Sequence, residues 1–401
     1  MSSATTTAAP PLATPVPQSP MTSLALLCAA HFFIDLYASA LSAFQPILVR
    51  QLGLSLGQAG FAAGLLLVSS SVAQPLYGYL ADRFHSRLFT VLAPAVAGIF
   101  LTSLTFAPTY AALLALAVLG GAGVASFHPQ ASARAGHGVT ANKGRWMAVF
   151  ISSGTLGMAL GPTLFSFVID RFGMPSLPWT MLPGLAATAL LLVYLPNLPV
   201  SSSHRRGIDW PALRAVRRPL LILYLLVFIR SIVQIVYAQF LPLYLNHERG
   251  MEYTHANGML TLYLAAGAFG GFAGGWLSDR LGGRKVIMIS MLGCVPPLAL
   301  FFFTTGPLAA LALAAGGLVL LFTIPVNLVM AQELVPSQTG TVSALMMGFA
   351  WGGAGFLFVP AAGFAADRFS LHHVMAALLV FPIAGFFLAR MLPEGRLRPA
   401  R

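Results

Sequence analysis

Charged side chains are scarce in this sequence of 401 residues. Asp, Glu, Lys and Arg together make up 8% of the chain, whereas ordinary soluble domains carry about 25%. Hydrophobic residues account for 57%. So few charges cannot cover the surface of a soluble particle of this length. The composition therefore excludes an ordinary water-soluble protein and indicates the lipid bilayer as the main solvent.

Cysteine is almost absent as well. The two cysteines, Cys28 and Cys294, lie in apolar runs, which excludes a disulfide framework and a cysteine-based metal site. The formal charge of +12 does not indicate nucleic acid as a partner, because the basic residues sit in short segments between apolar runs and not on one solvated face.

Enzyme motifs are missing too. The sequence contains no H-E-x-x-H zinc motif, no G-x-S-x-G nucleophile turn and no G-x-x-x-x-G-K-[ST] phosphate loop. We therefore expect neither an enzyme nor an ATP-driven machine, and no metal or organic cofactor.

Long apolar runs make up most of the sequence. Each is close to the roughly 20 residues that a helix needs to cross a bilayer, and twelve follow one another after residue 20: 22–48, 55–81, 88–106, 109–128, 146–169, 178–195, 220–245, 256–278, 286–304, 307–330, 339–365 and 372–391. Glycine and proline inside these runs are tolerated in membrane bundles. The pattern predicts an all-α membrane protein with twelve transmembrane helices.

Basic residues are distributed unevenly among the connecting loops. If the N-terminus is cytoplasmic, seventeen of the 22 Lys and Arg residues fall on the cytoplasmic side, four (Arg50, Arg171, Arg249 and Arg368) fall outside, and Arg230 lies within a span. Basic loops stay in the cytoplasm, so both termini are predicted to be cytoplasmic.

The two halves of the chain repeat each other. Gly78 to Arg83 matches Gly275 to Arg280, and Asp170 matches Asp367, all at an offset of 197 residues. Two parallel six-helix halves place a substrate site at their interface near the middle of the membrane. The predicted organisation is a disordered tail at 1–20, a first half at 21–195, a linker at 196–218, a second half at 219–392 and a tail at 393–401.

The loop after the second apolar run in each half carries a Gly-x-x-x-Asp-Arg motif followed by basic residues, and in this the chain resembles the major facilitator superfamily. The resemblance implies the major facilitator fold and alternating access, driven by an ion gradient. It also implies a conformational switch at the two motifs, whose residues are Gly78, Asp82, Arg83 and Arg87 in the first half and Gly275, Asp279, Arg280 and Arg284 in the second. Asp82 and Asp279 are expected to need a positive partner, because each follows the C-terminal end of a helix.

A narrower resemblance is to bacterial fosmidomycin resistance proteins, which are proton-driven drug exporters. It rests on His31 to Asp35, on Phe127 to Ser132 and on Gly157 to Pro162. Gly157, Gly161 and Pro162 also resemble an antiporter signature, although small residues at this spacing equally permit close helix packing. The resemblance implies a bacterial inner membrane, with the proton gradient as the only energy source.

Ionisable residues inside the apolar runs are few. Since each costs roughly 2.5 to 3.5 kcal/mol to insert, those that remain usually serve function. Asp35 is the only carboxylate well inside a run, and His31 lies four residues before it on the same helix face. We expect both to take part in proton coupling, the alternative for His31 being a packed histidine.

The seventh run carries Arg230, Gln234 and Tyr237 on one face. Arginine keeps its charge and therefore suits an anionic group or a carboxylate, and Asp35, its counterpart in the repeat, is the expected partner. A permanent structural pair is the alternative. His128, placed at the end of the fourth run, and Asn327, in the tenth, complete the predicted substrate-binding set.

These observations predict a secondary transporter that acts as a monomer in lipid on a small molecule. Proton-coupled drug export is preferred, and a proton-coupled symporter of a small organic anion is the alternative. A membrane receptor is disfavoured, because the repeat suits alternating access.

Overall fold

The computed structural model of the chain describes residues 19–84, 86–135, 143–196 and 209–393, without the side chains of Asp82 and of residues 143–145. Within these ranges the chain is helical and contains no strand. The predicted tails 1–20 and 393–401 and linker 196–218 lie largely outside the described residues. Of the linker, the part that is described forms a short helix, Trp210–Ala215.

Ten helical stretches in the described ranges are long and apolar enough to cross a membrane, and one shorter apolar helix, Leu88–Thr102, lies among them. The first half contains α1 (Pro20–Leu52), α2 (Leu56–Ala81), α3 (Leu88–Thr102), α4 (Tyr110–Ala135), α5 (Lys143–Phe172) and α6 (Met174–Tyr194). The second half contains α7 (Arg217–His247), α8 (Tyr253–Leu281), α9 (Gly283–Phe303), α10 (Gly306–Leu334) and the stretch Pro336–Ala389.

This last stretch comprises two helices. Ser370 has a positive φ of 73°, a value that breaks the helix, so we treat 336–369 as α11 and 371–389 as α12. Within the described ranges the chain therefore forms twelve helical segments, in agreement with the predicted architecture. Two π-helical turns interrupt the bundle, Val68–Val72 in α2 and Ala344–Ala350 in α11.

The predicted repeat is visible in the backbone. Gly173 (φ 80°) and Ser370 (φ 73°) lie 197 residues apart and take the same unusual conformation at the start of the last helix of each half. Arg87 donates to the carbonyl oxygens of Leu192 and Leu195 near the end of α6. Arg284, also 197 residues further on, donates to Arg390 O just after α12, at 2.7 Å. Both arginines thus satisfy carbonyls at a helix C-terminus, where a cation is favoured.

The two halves meet closely at the end of the bundle opposite residues 19 and 393, the first and last that the structure describes, and we call this end the distal face. Here α2 packs on α11 through glycines, because a β-carbon on Gly60 would lie 2.7 Å from Val359 O and one on Gly363 would lie 2.3 Å from Leu56 O. Asp367 of α11 accepts hydrogen bonds from the backbone N–H groups of Leu56 (2.7 Å) and Gly57 (2.9 Å) at the start of α2.

Three further hydrogen bonds cross between the halves on the distal side of the bundle, and in one of them Asn257 Nδ2 of α8 donates to Ala43 O of α1 at 3.4 Å. Thr163 of α5 donates to Thr261 of α8 at 2.7 Å, and Ser42 of α1 donates to Gln239 of α7 at 2.9 Å. The halves are therefore joined on their distal side through four helix pairs, which leaves room for a cavity nearer the middle.

Candidate transport site

A cavity of about 170 Å³ lies between the two halves. Seven helices line it, and its polar lining includes Asp35 and His128 from the first half and Gln234 and Gln239 from the second. The π-helical turns of α2 and α11 contribute Ser70, Ser71 and Met347. Such turns often occur at functional sites. The position agrees with the interface site that the repeat predicts.

Asp35 on the cavity wall is held between two imidazoles. His31 Nε2 lies 3.3 Å from Asp35 Oδ2, and His128 Nε2 lies 3.2 Å from Asp35 Oδ1. Asp35 is 8% exposed and His31 is 6% exposed, so the cluster is shielded from all but the cavity. The predicted pairing of His31 with Asp35 on one face of α1 is confirmed as geometry, whereas their role in coupling stays a prediction.

The second ring nitrogen of each histidine is also engaged. His31 Nδ1 lies 2.8 Å from Phe150 O of α5, and His128 Nδ1 lies 2.9 Å from Val124 O of its own helix. A carbonyl oxygen can only accept, so each Nδ1 carries a hydrogen and each Nε2 faces the carboxylate. The nitrogen and oxygen atoms of the three side chains that could bind a metal ion lie within 4.8 Å of one another. Each carboxylate oxygen, however, is at hydrogen-bond distance from one imidazole. This is the geometry of a hydrogen-bonded cluster.

Three glycines of α5 bring this helix against α1 beside the cluster. A β-carbon on Gly157 would lie 1.9 Å from Phe32 O, one on Gly161 would lie 2.1 Å from Ser39 Oγ, and one on Gly154 would lie 2.4 Å from both Asp35 Oδ2 and His31 Nε2. Gly157 and Gly161, the antiporter-like glycines, therefore act in close packing here, and Pro162 lies inside the same helix. Gly154 was not singled out from the sequence.

His128 lies deeper in the bundle than the sequence indicates. The fourth apolar run was predicted to end at 128, but α4 continues through Pro129 to Ala135. A proline inside a helix costs less in a membrane bundle, where neighbouring groups satisfy the freed carbonyls. Ser132 Oγ donates to His128 O at 3.0 Å. The prediction that His128 sits at a helix end is therefore wrong, and the residue instead reaches Asp35.

The expected pair between Arg230 and Asp35 is not formed. Arg230 donates to Gln234, as their spacing predicts, and to Ser231 Oγ at 3.0 Å. Asp35 uses both carboxylate oxygens for histidines of its own half. The repeat places the two residues at equivalent positions, but each is satisfied within its own half.

The remaining predicted binding residues lie away from the cavity wall. Tyr237 is fully buried and donates to Met375 O at 3.1 Å, which is a contact within the second half. Asn327 is also fully buried, and its two amide atoms have no hydrogen-bond partner among the described residues.

The predicted switch residues lie at the face opposite the distal face, which carries residues 19 and 393. Gly78 would place a β-carbon 3.7 Å from Pro129, and Gly275 would place one 3.8 Å from Pro325, so the repeat holds in this detail too. Arg83 and Asp279 are exposed, and the Arg280 guanidinium stacks over Trp276 at 3.8 Å.

The switch contacts themselves are described only in part. No basic residue in the described ranges lies within ion-pair distance of Asp279, and its expected partner stays a prediction. The side chain of Asp82 lies outside the described part of the chain, and its expected partner stays a prediction.

Several known proteins are similar to this chain in sequence or in fold. The chain is 30% identical to YfnC, an MFS-type transporter of Bacillus subtilis (strain 168), with 92% of each chain covered. It is 28% identical to the fosmidomycin resistance protein of Escherichia coli (strain K12), with 93% of each covered. A bacterial homolog of the human lysosomal transporter Spinster, solved in an inward-facing and occupied conformation, has a similar fold, with a TM-score of 0.79 at 16% identity over 96% of this chain and 100% of that one.

The sequence profile of the Major Facilitator Superfamily matches residues 27–359, which cover most of both halves. The twelve helices, the internal repeat and the cavity between the halves agree with this match. The chain is a multi-pass membrane protein and a transporter, and it belongs to the major facilitator superfamily.

Proposed function

We propose that the chain exports a small organic compound in exchange for protons, by alternating access, as a monomer in a bacterial inner membrane. The observation that carries this proposal is the Asp35 carboxylate, held between His31 and His128 on the wall of the cavity. Imidazole and carboxylate groups both serve as acids and bases in proteins, so two histidines around one carboxylate form a cluster that can exchange protons.

The hydrogen bonds of the cluster determine how many protons it holds. Because each Nδ1 already donates to a carbonyl oxygen, protons are exchanged only at the two Nε2 atoms and the carboxylate. His128 Nε2 and Asp35 Oδ1 form a hydrogen bond at 3.2 Å, and His31 Nε2 lies at ion-pair distance, 3.3 Å, from Asp35 Oδ2. We take one hydrogen to lie between the two atoms of each contact. The arrangement therefore holds two exchangeable protons and has a net charge of +1, wherever along the contacts the hydrogens reside.

Loss of one proton leaves two lone pairs facing each other across one of these contacts. The contact of His31 with Asp35 lies within α1, whereas the contact of His128 with Asp35 joins α4 to α1. Deprotonation at His128 would therefore weaken the packing of α4 on α1 beside the cavity. A proton would in this way alter helix packing at the substrate site, as coupling requires.

The uneven distribution of the basic loops supports an orientation with the termini in the cytoplasm and the distal face outside. With the halves joined on the distal side by Asp367 and by the pair Thr163 and Thr261, this conformation is inward-facing. The name of the fosmidomycin resistance protein, together with the multidrug resistance protein MdtG of Escherichia coli, which is 25% identical over 62% of this chain, supports export of a drug-like compound.

Asp35→Asn tests the proposal in inverted membrane vesicles that have been acidified inside. With the wild type, a pH-sensitive dye should report proton efflux when a transported compound is added from a panel that includes fosmidomycin and simple carboxylates. Asp35→Asn should abolish this signal while substrate binding to the purified protein remains. Asp170→Asn, which changes an exposed carboxylate, is the control. An Asp35→Asn protein that still moves protons with substrate would exclude Asp35 from coupling.

A symporter of a small organic anion is the second candidate. The observation that favours it is Arg230, a buried cation for which the described residues provide no acid partner. A symporter would bring substrate and protons into right-side-out vesicles together, whereas an exporter would move them in opposite directions. The direction of dye response in the two kinds of vesicle therefore separates the candidates.

A further inference from the structure

Arg230 is a buried guanidinium with an unused donor. Its side chain is 4% exposed, and although two of its nitrogens donate to Gln234 and Ser231, its Nε has no partner among the described residues. No carboxylate in the described ranges forms an ion pair with it. Burying an arginine without a counter-charge is strongly unfavourable, so this position calls for an anion from elsewhere.

A second unused donor lies near the first. Tyr263 of α8 is 1% exposed, and its hydroxyl has no hydrogen-bond partner among the described residues. Its ring packs against Tyr237, with 6.1 Å between the ring centroids, and Tyr237 lies two turns after Arg230 on the same face of α7. Leu260, one turn before Tyr263 on α8, and Leu264, the residue after it, line the cavity, as does Gln234, which Arg230 contacts. The two donors thus stand directly behind the cavity wall of the second half.

We propose that Arg230 and Tyr263 form the binding site for an oxyanionic group, a carboxylate or a phosphonate, of the molecule that the cavity takes up. The Nε–H of Arg230 and the O–H of Tyr263 would donate to its oxygens. The side chain of Gln234, which accepts a hydrogen bond from Arg230, would reorient together with the arginine side chain. This proposal rests on the proposed transport function, in that it places the substrate in the cavity.

The electrostatics of the cavity favour such a group. Asp35, the carboxylate that lines the cavity, is compensated by His31 and His128, and with its two exchangeable protons the cluster carries a net charge of +1. Arg230 adds a further positive charge from the opposite half. An anionic ligand would neutralise charge that the protein leaves uncompensated, whereas a cation would be repelled by both halves.

Binding to the purified full-length protein tests the site with probes that differ only in charge. Benzoate and phenylphosphonate should bind the wild type at least tenfold more tightly than neutral benzamide, because a charged hydrogen bond is worth about ten- to a hundredfold in affinity. Arg230→Gln should remove this preference, and Tyr263→Phe should weaken the two anions severalfold. For both variants, benzamide affinity should stay within twofold of the wild type.

Matched controls are available on the same molecule. Arg171→Gln removes an exposed cation on the distal side, and Tyr253→Phe removes another hydroxyl from α8, ten residues away. Both should bind benzoate as the wild type does. Arg230→Lys keeps the charge but loses the planar donors, so it should retain only part of the preference and provides a test if Arg230→Gln does not fold.

The thermal stability of the ligand-free protein separates this site from a structural role. Arg230→Gln should unfold at the same or a higher temperature, because it removes an unpaired buried charge. A lower unfolding temperature together with an unchanged benzoate preference would make Arg230 structural and overturn the proposal. Equal affinity of the wild type for benzoate and benzamide would also overturn it, while leaving the Asp35→Asn test of proton coupling unaffected.

Discussion

Gly154 lies so close to Asp35 that a β-carbon at position 154 would sit 2.4 Å from the carboxylate oxygen Oδ2, and equally close to His31 Nε2. No ordinary side chain fits this gap. The cluster therefore depends on a glycine in α5 as much as on its own three members, since α5 also provides the carbonyl oxygen of Phe150 that orients His31.

Gly154→Ala should reduce proton-coupled transport more than tenfold, because the added methyl group must displace Asp35 or His31. Gly271→Ala is the matched control, since a β-carbon there meets no atom within 4 Å. In a helix interior this control should stabilise the fold by about 0.5–1 kcal/mol and leave transport unchanged. Transport assays and thermal unfolding of both variants check the prediction, and full activity of Gly154→Ala would contradict it.

His128→Gln should reduce the number of protons that the protein exchanges per substrate bound from two to one. Glutamine can still donate a hydrogen bond to Asp35, but it cannot take up a proton. Calorimetric titrations in two buffers of different ionisation enthalpy measure this number. His247→Gln, at an exposed histidine, should leave it unchanged. An unaltered proton count in His128→Gln would exclude His128 from the cluster's proton exchange.

Asp367→Asn should favour opening of the distal face. The carboxylate accepts two hydrogen bonds at the start of α2, where a negative charge is also favoured by the helix dipole, and an amide keeps only one acceptor oxygen. A cap of this kind is worth about 0.5–2 kcal/mol. A cysteine at Ala38, which lines the cavity, should react severalfold faster with an impermeant maleimide from the distal side.

Asp170→Asn, the equivalent position in the repeat, is exposed and should leave this labelling rate unchanged. Equal rates in the wild type, Asp367→Asn and Asp170→Asn would show that Asp367 does not hold the halves together.

Ser370→Gly should raise the unfolding temperature. Its φ of 73° and ψ of 155° belong to a region that costs a non-glycine residue about 1–3 kcal/mol. The lost hydrogen bond between Ser370 Oγ and His373 Nδ1, at 2.9 Å, offsets part of the gain, and we expect a net stabilisation of about 1 kcal/mol. The reverse change at its repeat counterpart, Gly173→Ser, should destabilise the protein, and a fall in stability for both variants would refute the argument.

Membrane orientation can be tested with single cysteines in a protein in which Cys28 and Cys294 are replaced by serine. Gln51→Cys, at the exposed end of α1, should react with an impermeant maleimide in intact cells. Ser202→Cys, in the predicted linker, should react only after the membrane is opened. The reverse pattern would place the termini outside and make this conformation outward-facing.

The sequence alone was sufficient for the properties that depend on short stretches of chain. Apolar runs of fixed length predict the helices because the thickness of the bilayer sets that length, and the offset of 197 residues predicts the two halves. Contacts within one helix are equally local, so the spacing of His31 and Asp35 and that of Arg230 and Gln234 predict the contacts that the structure contains.

Contacts between helices were decided only by the tertiary structure. His128 reaches Asp35 because α4 runs on past Pro129 and packs beside α1, and whether a proline ends a helix depends on neighbours that the local sequence does not contain. Gly154 matters because α5 approaches α1 there, and Arg230 lacks an acid because Asp35 is satisfied within the other half. Position along a helix is set by spacing in the chain, whereas the partner across a cavity is set by how the helices pack.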